Sequence, residues 1–270
     1  MKTDINWNGE QIKIRPSSID NFYGCAFQWA KVFLEGERSI PNDRAAIGTA
    51  VHTGVEELWK DAMLRGNKEQ VNLSMAADAG IQAFQENEEN EGVQYSDGAD
   101  SNTCEDEVKT GVRVFVEDIV PWVDIPTAVE TYLTMDIDHP VVNELGGTVD
   151  YLAPGTIDDV KTSKRKPVPQ SYTTQQTTYK ILAEHNGHKI EHQRIQGIVF
   201  IKNPVGHILP LEPNVPRTKF LINSLLDTLE AFHDGGNPAV LFRGNPKYMF
   251  CSSKYCKFYS MGCPYVNGVA

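Results

Sequence analysis

Gly147-Thr148-Val149-Asp150-Tyr151-Leu152, then Pro154-Gly155, then Thr156-Ile157-Asp158-Asp159-Val160-Lys161-Thr162, is the stretch from which the fold is read. Both flanks mix β-branched and aromatic residues with polar ones, as strands do. Pro-Gly between them is a turn signal, so the segment reads as a hairpin. Side chains alternate faces along a strand, which sends Asp159 and Lys161 to one side and Asp158 and Thr162 to the other. Asp150 precedes Asp159 by nine residues across the turn and comes beside it if the register permits.

Further along the chain, Gln170 to His185 reads as a helix closed by Asn186-Gly187, Gln196 to Lys202 as a strand stopped by Pro204, and 213–234 as mainly helical. Before the hairpin, Ala128 to Ile137 has strand character. Nearer the start, Gln11-Ile12-Lys13-Ile14 is a short strand stopped by Pro16. Ser17-Ser18-Ile19-Asp20 reads as an N-cap opening a helix through Phe22, Cys25, Phe27 and Trp29. Ile47, Val51, Val55, Leu58, Trp59 and Ala62 recur at three and four, which predicts a helix from Ala45 to about Arg65. Two more helices are expected near 72–85 and 105–119, with the acidic, Asn/Gly/Ser/Asp-rich stretch 86–104 as a mobile loop between them. The class is α/β, with one domain over 1–270: a helical part at about 17–120, a core at about 127–205, and a C-terminal helix and cysteine segment at about 213–270.

No apolar run approaches the roughly 20 residues that cross a bilayer, and Met1-Lys2-Thr3-Asp4 begins polar without a signal-peptide core. A cytoplasmic protein without a membrane partner is expected. The net charge of −11 argues at first sight against nucleic acid. Nine of the acidic residues fall between Glu86 and Glu107, however, and the rest of the chain carries about −2. Lys161, Lys164, Arg165 and Lys166 crowd together; charge neither proves nor excludes DNA.

Metal-dependent phosphodiester hydrolysis needs carboxylates to hold Mg or Mn and a cation to orient water or stabilise developing charge. Asp150, Asp159 and Lys161 supply these types on paired strands. Taken alone, Asp-x-Lys is a common tripeptide, and its residues read equally well as polar groups at strand ends. It is joined by Gln175 and Tyr179, four apart and so on one helical face, and by Gly48-Thr49-Ala50-Val51-His52.

In that order, Gly-Thr-Ala-Val-His, Gly-x-Val-Asp-Tyr, Ile-x-Asp-x-Lys-Thr and Gln-x-x-x-Tyr, the sequence resembles the RecB-like branch of the PD-(D/E)xK nuclease superfamily, from about Ser17 to Cys263. The resemblance implies a restriction-endonuclease-like core sheet flanked by helices, with a helical N-terminal elaboration and a C-terminal cysteine staple. It implies His52, Asp150, Asp159 and the Val160 backbone carbonyl as metal ligands, with Asp159 where many relatives carry Glu. Lys161 positions the attacking water, and Gln175 and Tyr179 steady the site. Glu56 and Glu57 follow His52 by four and five positions; Glu56, on the His52 face, reads as a water-mediated contact or a solvated residue, and Glu130 as an outer neighbour of the site.

Five cysteines make a poor disulfide framework, and Cys251, Cys256 and Cys263, spaced C-x4-C-x6-C, read better as metal or cluster ligands. A subset of the resembled family, including AddB-type, CRISPR-associated and phage recombination nucleases, holds an iron-sulfur cluster with one N-terminal and three C-terminal cysteines. Cys25, Cys251, Cys256 and Cys263 match that layout, though the C-terminal spacing is looser than the C-x2-C-x5-C of some relatives. Four thiolates suit a 4Fe-4S cluster or structural zinc, and both stay open. Cys104 falls in the acidic stretch without a partner.

The resemblance thus implies a Mg- or Mn-dependent deoxyribonuclease, an exonuclease in recombination, repair or phage DNA metabolism. No Gly-Lys-Ser/Thr phosphate loop occurs, so any unwinding comes from a helicase or recombination partner. The rival readings are a catalytically idle DNA-binding scaffold with the same fold and cluster, and a metal-stapled structural subunit whose acidic stretch recruits a partner.

Overall fold

The computed structural model describes residues 5–253, 255–261 and 263–266. The polar start Met1 to Asp4, and Lys254 of the cysteine segment, lie outside them. Six strands form one sheet: β1 (Ile12–Ile14), β2 (Ala128–Asp136), β3 (Val142–Ala153), β4 (Gly155–Ser163), β5 (Ile190–Val199) and β6 (Val205–Pro210). The order is β1-β3-β4-β5-β6, with β2 also on β3. β3 pairs antiparallel with β2 and β4 and parallel with β1, β4 pairs parallel with β5, and β5 antiparallel with β6. The hairpin of the opening stretch is present, its turn made by Gly155 at φ +74.

Helices cover the sheet through two apolar cores. In one, α1 (Pro16–Gly24), α2 (Ala26–Phe33), α6 (Thr173–His185) and α7 (Val215–His233) contribute Ile19, Trp29, Leu182 and Leu225. In the other, α3 (Asp43–Arg65), α4 (Leu73–Glu91) and α5 (Ser101–Val114) contribute Val51, Trp59, Phe84 and Val108. Short helices α8 (Pro238–Leu241) and α9 (Lys257–Ser260) lie near the C-terminus. No helix among the described residues is long and apolar enough to cross a membrane.

Four expectations need correction. The first helix starts at Pro16 with Arg15 as N-cap, and Cys25 in extended geometry (φ −156, ψ 94) divides it from α2. Pro is favoured in a first helical turn because its missing N–H has no partner there anyway. The acidic stretch is helical at both ends and a loop only over 92–100: α4 runs to Glu91 and α5 opens at Ser101 with a capping box between Asp100 and Thr103. Glu is a good helix former, so charge density was a poor loop signal there. Cys104 is therefore a buried residue of α5, and burial pushes its thiol up to about 11. Finally, β5 begins at Ile190 rather than Gln196, and β6, half-buried along most of its length, lacks a clear alternation by which to read it.

Candidate active site

β2 and β3 change phase at a single pair of residues. In β3, Leu145 and Val149 pack in one core and Tyr151 and Ala153 in the other, although all four are odd-numbered. In β2, Leu133 lies in the first core and Val129 packs against the second. The inversion falls where Glu130 faces Asp150, between the pairs Thr131↔Val149 and Val129↔Tyr151. Glu130 sits at φ +45, the one described non-glycine residue with a positive φ. A non-glycine residue there costs energy that surrounding contacts must hold in place.

At the same point the hairpin opens. Its ladder with β4 ends at Tyr151↔Asp158, while β4 continues on β5 through Ser163. The Asp150 carboxylate spans the opening and accepts from the Val160 N–H at 2.7 Å. Asp150 is thus one step past the last ladder pair, beside Asp159.

Around this opening, α3 brings His52, with Nδ1 3.5 Å from Asp150 Oδ2. The Val160 backbone also hydrogen-bonds the imidazole. Lys161 Nζ lies 2.5 Å from Asp159 Oδ2, and Gln175 of α6 donates to Asp159 Oδ1 at 3.0 Å. Tyr179, one turn on from Gln175, is buried against Gly147. The structure thus gathers His52, Asp150, Asp159, Lys161 and Gln175 around the opening, with Tyr179 one turn from Gln175. Three potential ligand atoms, from His52, Glu130 and Asp150, lie within 4.8 Å of one another.

The electrostatics are those of a site short of positive charge. Burial lifts Asp159 to about 6, with Lys161 opposing and Asp150 reinforcing. Burial also raises Asp150. Glu130 is pushed up to about 7 by burial, then by Asp150, Glu56 and Asp159. His52 is pushed down to about 4 by burial and by Lys161, which leaves a neutral imidazole able to donate a lone pair to a metal. Burial works against the Lys161 charge, but Asp159 and Asp150 outweigh it and hold its pKa above the ordinary value. Clustered carboxylates with raised pKa values beside a neutral histidine match the needs of a divalent cation, whose charge favours the ionised acids.

Sequence reading gave Glu130 too small a place, because nothing in Val-Glu-Thr announces a strand inversion. It missed Tyr172, whose ring carries the Lys161 ammonium at 5.6 Å. Asp158 does leave the Asp159 face, yet it is fully buried and paired bidentately with Arg194 at 2.8 and 2.7 Å, with Gln196 also donating. Glu56 instead meets Lys60 at 2.8 Å. Gly48 explains its own motif: a Cβ there would sit 3.0 Å from Thr162 Oγ1, so glycine lets α3 lie close on β4.

Four of the five cysteines come together away from this site. Cys25, Cys251, Cys256 and Cys263 line one cavity, and all are free thiols. Cys25, Cys256 and Cys263 each act electrostatically on Cys251, and backbone N–H groups of Tyr259 and Phe258 hydrogen-bond Cys256.

No curated protein matches this sequence. A solved structure of a candidate exonuclease from Eubacterium rectale has a similar fold, with TM-score 0.59 and 14% identity over 88% of this chain and 86% of that one. A family model for the PD-(D/E)XK nuclease superfamily matches residues 14–264. With the mixed sheet, its flanking helices and that match over nearly the whole length, the chain belongs to the PD-(D/E)XK nuclease superfamily, whose members hydrolyse phosphodiester bonds.

Proposed function

We propose that this protein is a Mg- or Mn-dependent deoxyribonuclease of the RecB-like branch, acting as an exonuclease in recombination, repair or phage DNA metabolism. The observation that carries the reading is the convergence of His52, Glu130 and Asp150 on one point beside the Asp159–Lys161 pair. His52, Asp150, Asp159 and the Val160 carbonyl would hold the cation, with Glu130 added here as a further ligand. When bound, the cation polarises the scissile phosphate and helps water to deprotonate. Lys161, fixed between Asp159 and the Tyr172 ring, orients the attacking water and stabilises charge on the phosphate oxygens. Gln175 holds Asp159 in its rotamer, and Tyr179 supports it from the next turn. We read residues 1–270 as one domain, since a single sheet joins both cores, and place it in the cytoplasm, with DNA as substrate and any unwinding motor on a partner chain.

We assign a 4Fe-4S cluster to Cys25, Cys251, Cys256 and Cys263. What supports it is that all four thiols line one cavity, and four thiolates are the ligand set such a cluster takes, with zinc as the alternative.

The test of activity is incubation of linear and closed-circular DNA, single- and double-stranded, with Mn or Mg. We expect cleavage of linear DNA that EDTA abolishes and added Mn restores. Cleavage unaffected by EDTA removes the metal mechanism, and equal cutting of closed circles removes the exonuclease assignment.

A further inference from the structure

β3 has an edge that no strand covers in its middle. β2 occupies one edge of β3 from Glu144 to Leu152. β1 meets Val142 to Leu145, and β4 meets Tyr151 to Ala153; both overlap β2 in register, so both lie on the other edge. On that edge, Gly146 to Asp150 pair with no strand among the described residues. A groove opens here, lined by Lys13, Arg15 and Arg38, by Tyr132, and at the end nearest the site by Thr148 and Tyr179. Thr148 is two residues from Asp150, and Tyr179 is one turn from the Gln175 that holds Asp159.

The lining has a distinct chemistry. Tyr132 is half exposed, with the Lys13 ammonium 5.7 Å from its ring centre. Gly146 makes room for that tyrosine, because a Cβ would stand 2.6 Å from its hydroxyl. In a protein of net charge −11, this groove is locally positive. Its acid Glu37 is taken up by Lys257 at 2.6 Å, and Glu144 by Lys13 at 3.2 Å. Arg15 and Arg38 have no carboxylate within ion-pair distance among the described residues. An exposed ring in a groove that also holds guanidinium groups without a carboxylate partner suits a single strand, with a base on the ring and phosphates on the cations. A duplex buries the faces of its bases and offers that ring nothing to stack on.

We propose that this groove is the track for an unpaired DNA strand, with Tyr132 as a stacking platform and Arg15 and Arg38 as phosphate contacts, leading along the open edge of β3 to Asp150. The proposal deepens the nuclease reading and rests on it.

The test uses the full chain carrying Lys161→Ala, so that bound DNA is not cut, and the anisotropy of a fluorescein-labelled oligothymidylate and of a duplex of equal length. The single strand is expected to bind more tightly than the duplex. Tyr132→Ala and Tyr132→Leu should weaken single-strand binding about tenfold, the effect of losing one stacked base, while Tyr132→Phe, which keeps the ring, should bind like its parent. Joint Arg15→Ala and Arg38→Ala should also weaken it and flatten its salt dependence. Duplex binding as tight as single-strand binding, or unchanged single-strand affinity in Tyr132→Leu, overturns the proposal. Cleavage by the unsubstituted chain is measured separately, so failure of the nuclease reading shows there and not in the anisotropy.

Discussion

Asp158 and Asp159 are adjacent in sequence and opposite in consequence. Asp159 faces Lys161, Gln175 and the opening of the hairpin, so Asp159→Ala and Lys161→Ala should each lower cleavage by at least about a hundredfold with little change in melting, as loss of a group that acts on the transition state does. Alternation by itself makes Asp158→Ala harmless to activity, since its side chain leaves the catalytic face. Burial changes that expectation. Removing Asp158 strands the Arg194 guanidinium, a loss of about 3 kcal/mol or more for a broken buried pair. Thermal melting together with a rate measured on the folded fraction separates the two: Asp158→Ala should melt early and still cut when folded. An Asp158→Ala protein as stable as its parent but inactive would place the chemistry on the wrong carboxylate.

Two helices deliver side chains to the strands, and each can be weakened without touching a proposed metal ligand. On α6, Gln175→Ala releases Asp159 Oδ1, and Tyr179→Phe keeps the ring while deleting the hydroxyl; both should slow cleavage and leave the melting temperature nearly unchanged. Parental rates for both at limiting DNA would deny α6 a part in the site. On α3, Gly48 lets the helix approach β4, and His52 is one turn further on. Gly48→Val should lift that part of α3 off Thr162, draw His52 away from Asp150, and reduce cleavage roughly tenfold, since displacements near 1 Å are enough for such losses. Raised Mn should recover part of that loss, and titration of activity against Mn reads it directly.

Across the whole molecule, the four proposed cluster cysteines join segments separated by 226 positions, from Cys25 to Cys251. A clip that closes so long a loop restricts the unfolded chain and stabilises the folded one. Anaerobically purified protein should be brown, with iron and acid-labile sulfide, and Cys25→Ser or Cys256→Ser should lose both colour and thermal stability. Cys104→Ser should keep the colour and cost on the order of 1 kcal/mol, because it buries a hydroxyl on α5. Lys161→Ala should stay brown, folded and inactive. One zinc per chain in place of iron would reassign the centre, and unchanged melting in the cysteine variants would remove its structural role.

The sequence by itself determined the pieces whose physics is local. Periodicity made α3, α6 and α7 legible, Pro154-Gly155 marked the hairpin, and alternation separated Asp159 and Lys161 from Asp158. Motif order grouped His52, Asp150, Asp159, Lys161, Gln175 and Tyr179 before any geometry was known. Only the tertiary structure decided what depends on contacts between distant segments. It showed where β3 parts from β4, that Glu130 turns to φ +45 opposite Asp150, that Arg194 neutralises a buried Asp158, and that part of one edge of β3 is left open. The acidic stretch shows the same division from the other side: its residues have helical propensity, but whether that propensity is realised depends on the apolar face of α4 and α5 finding α3 to pack against.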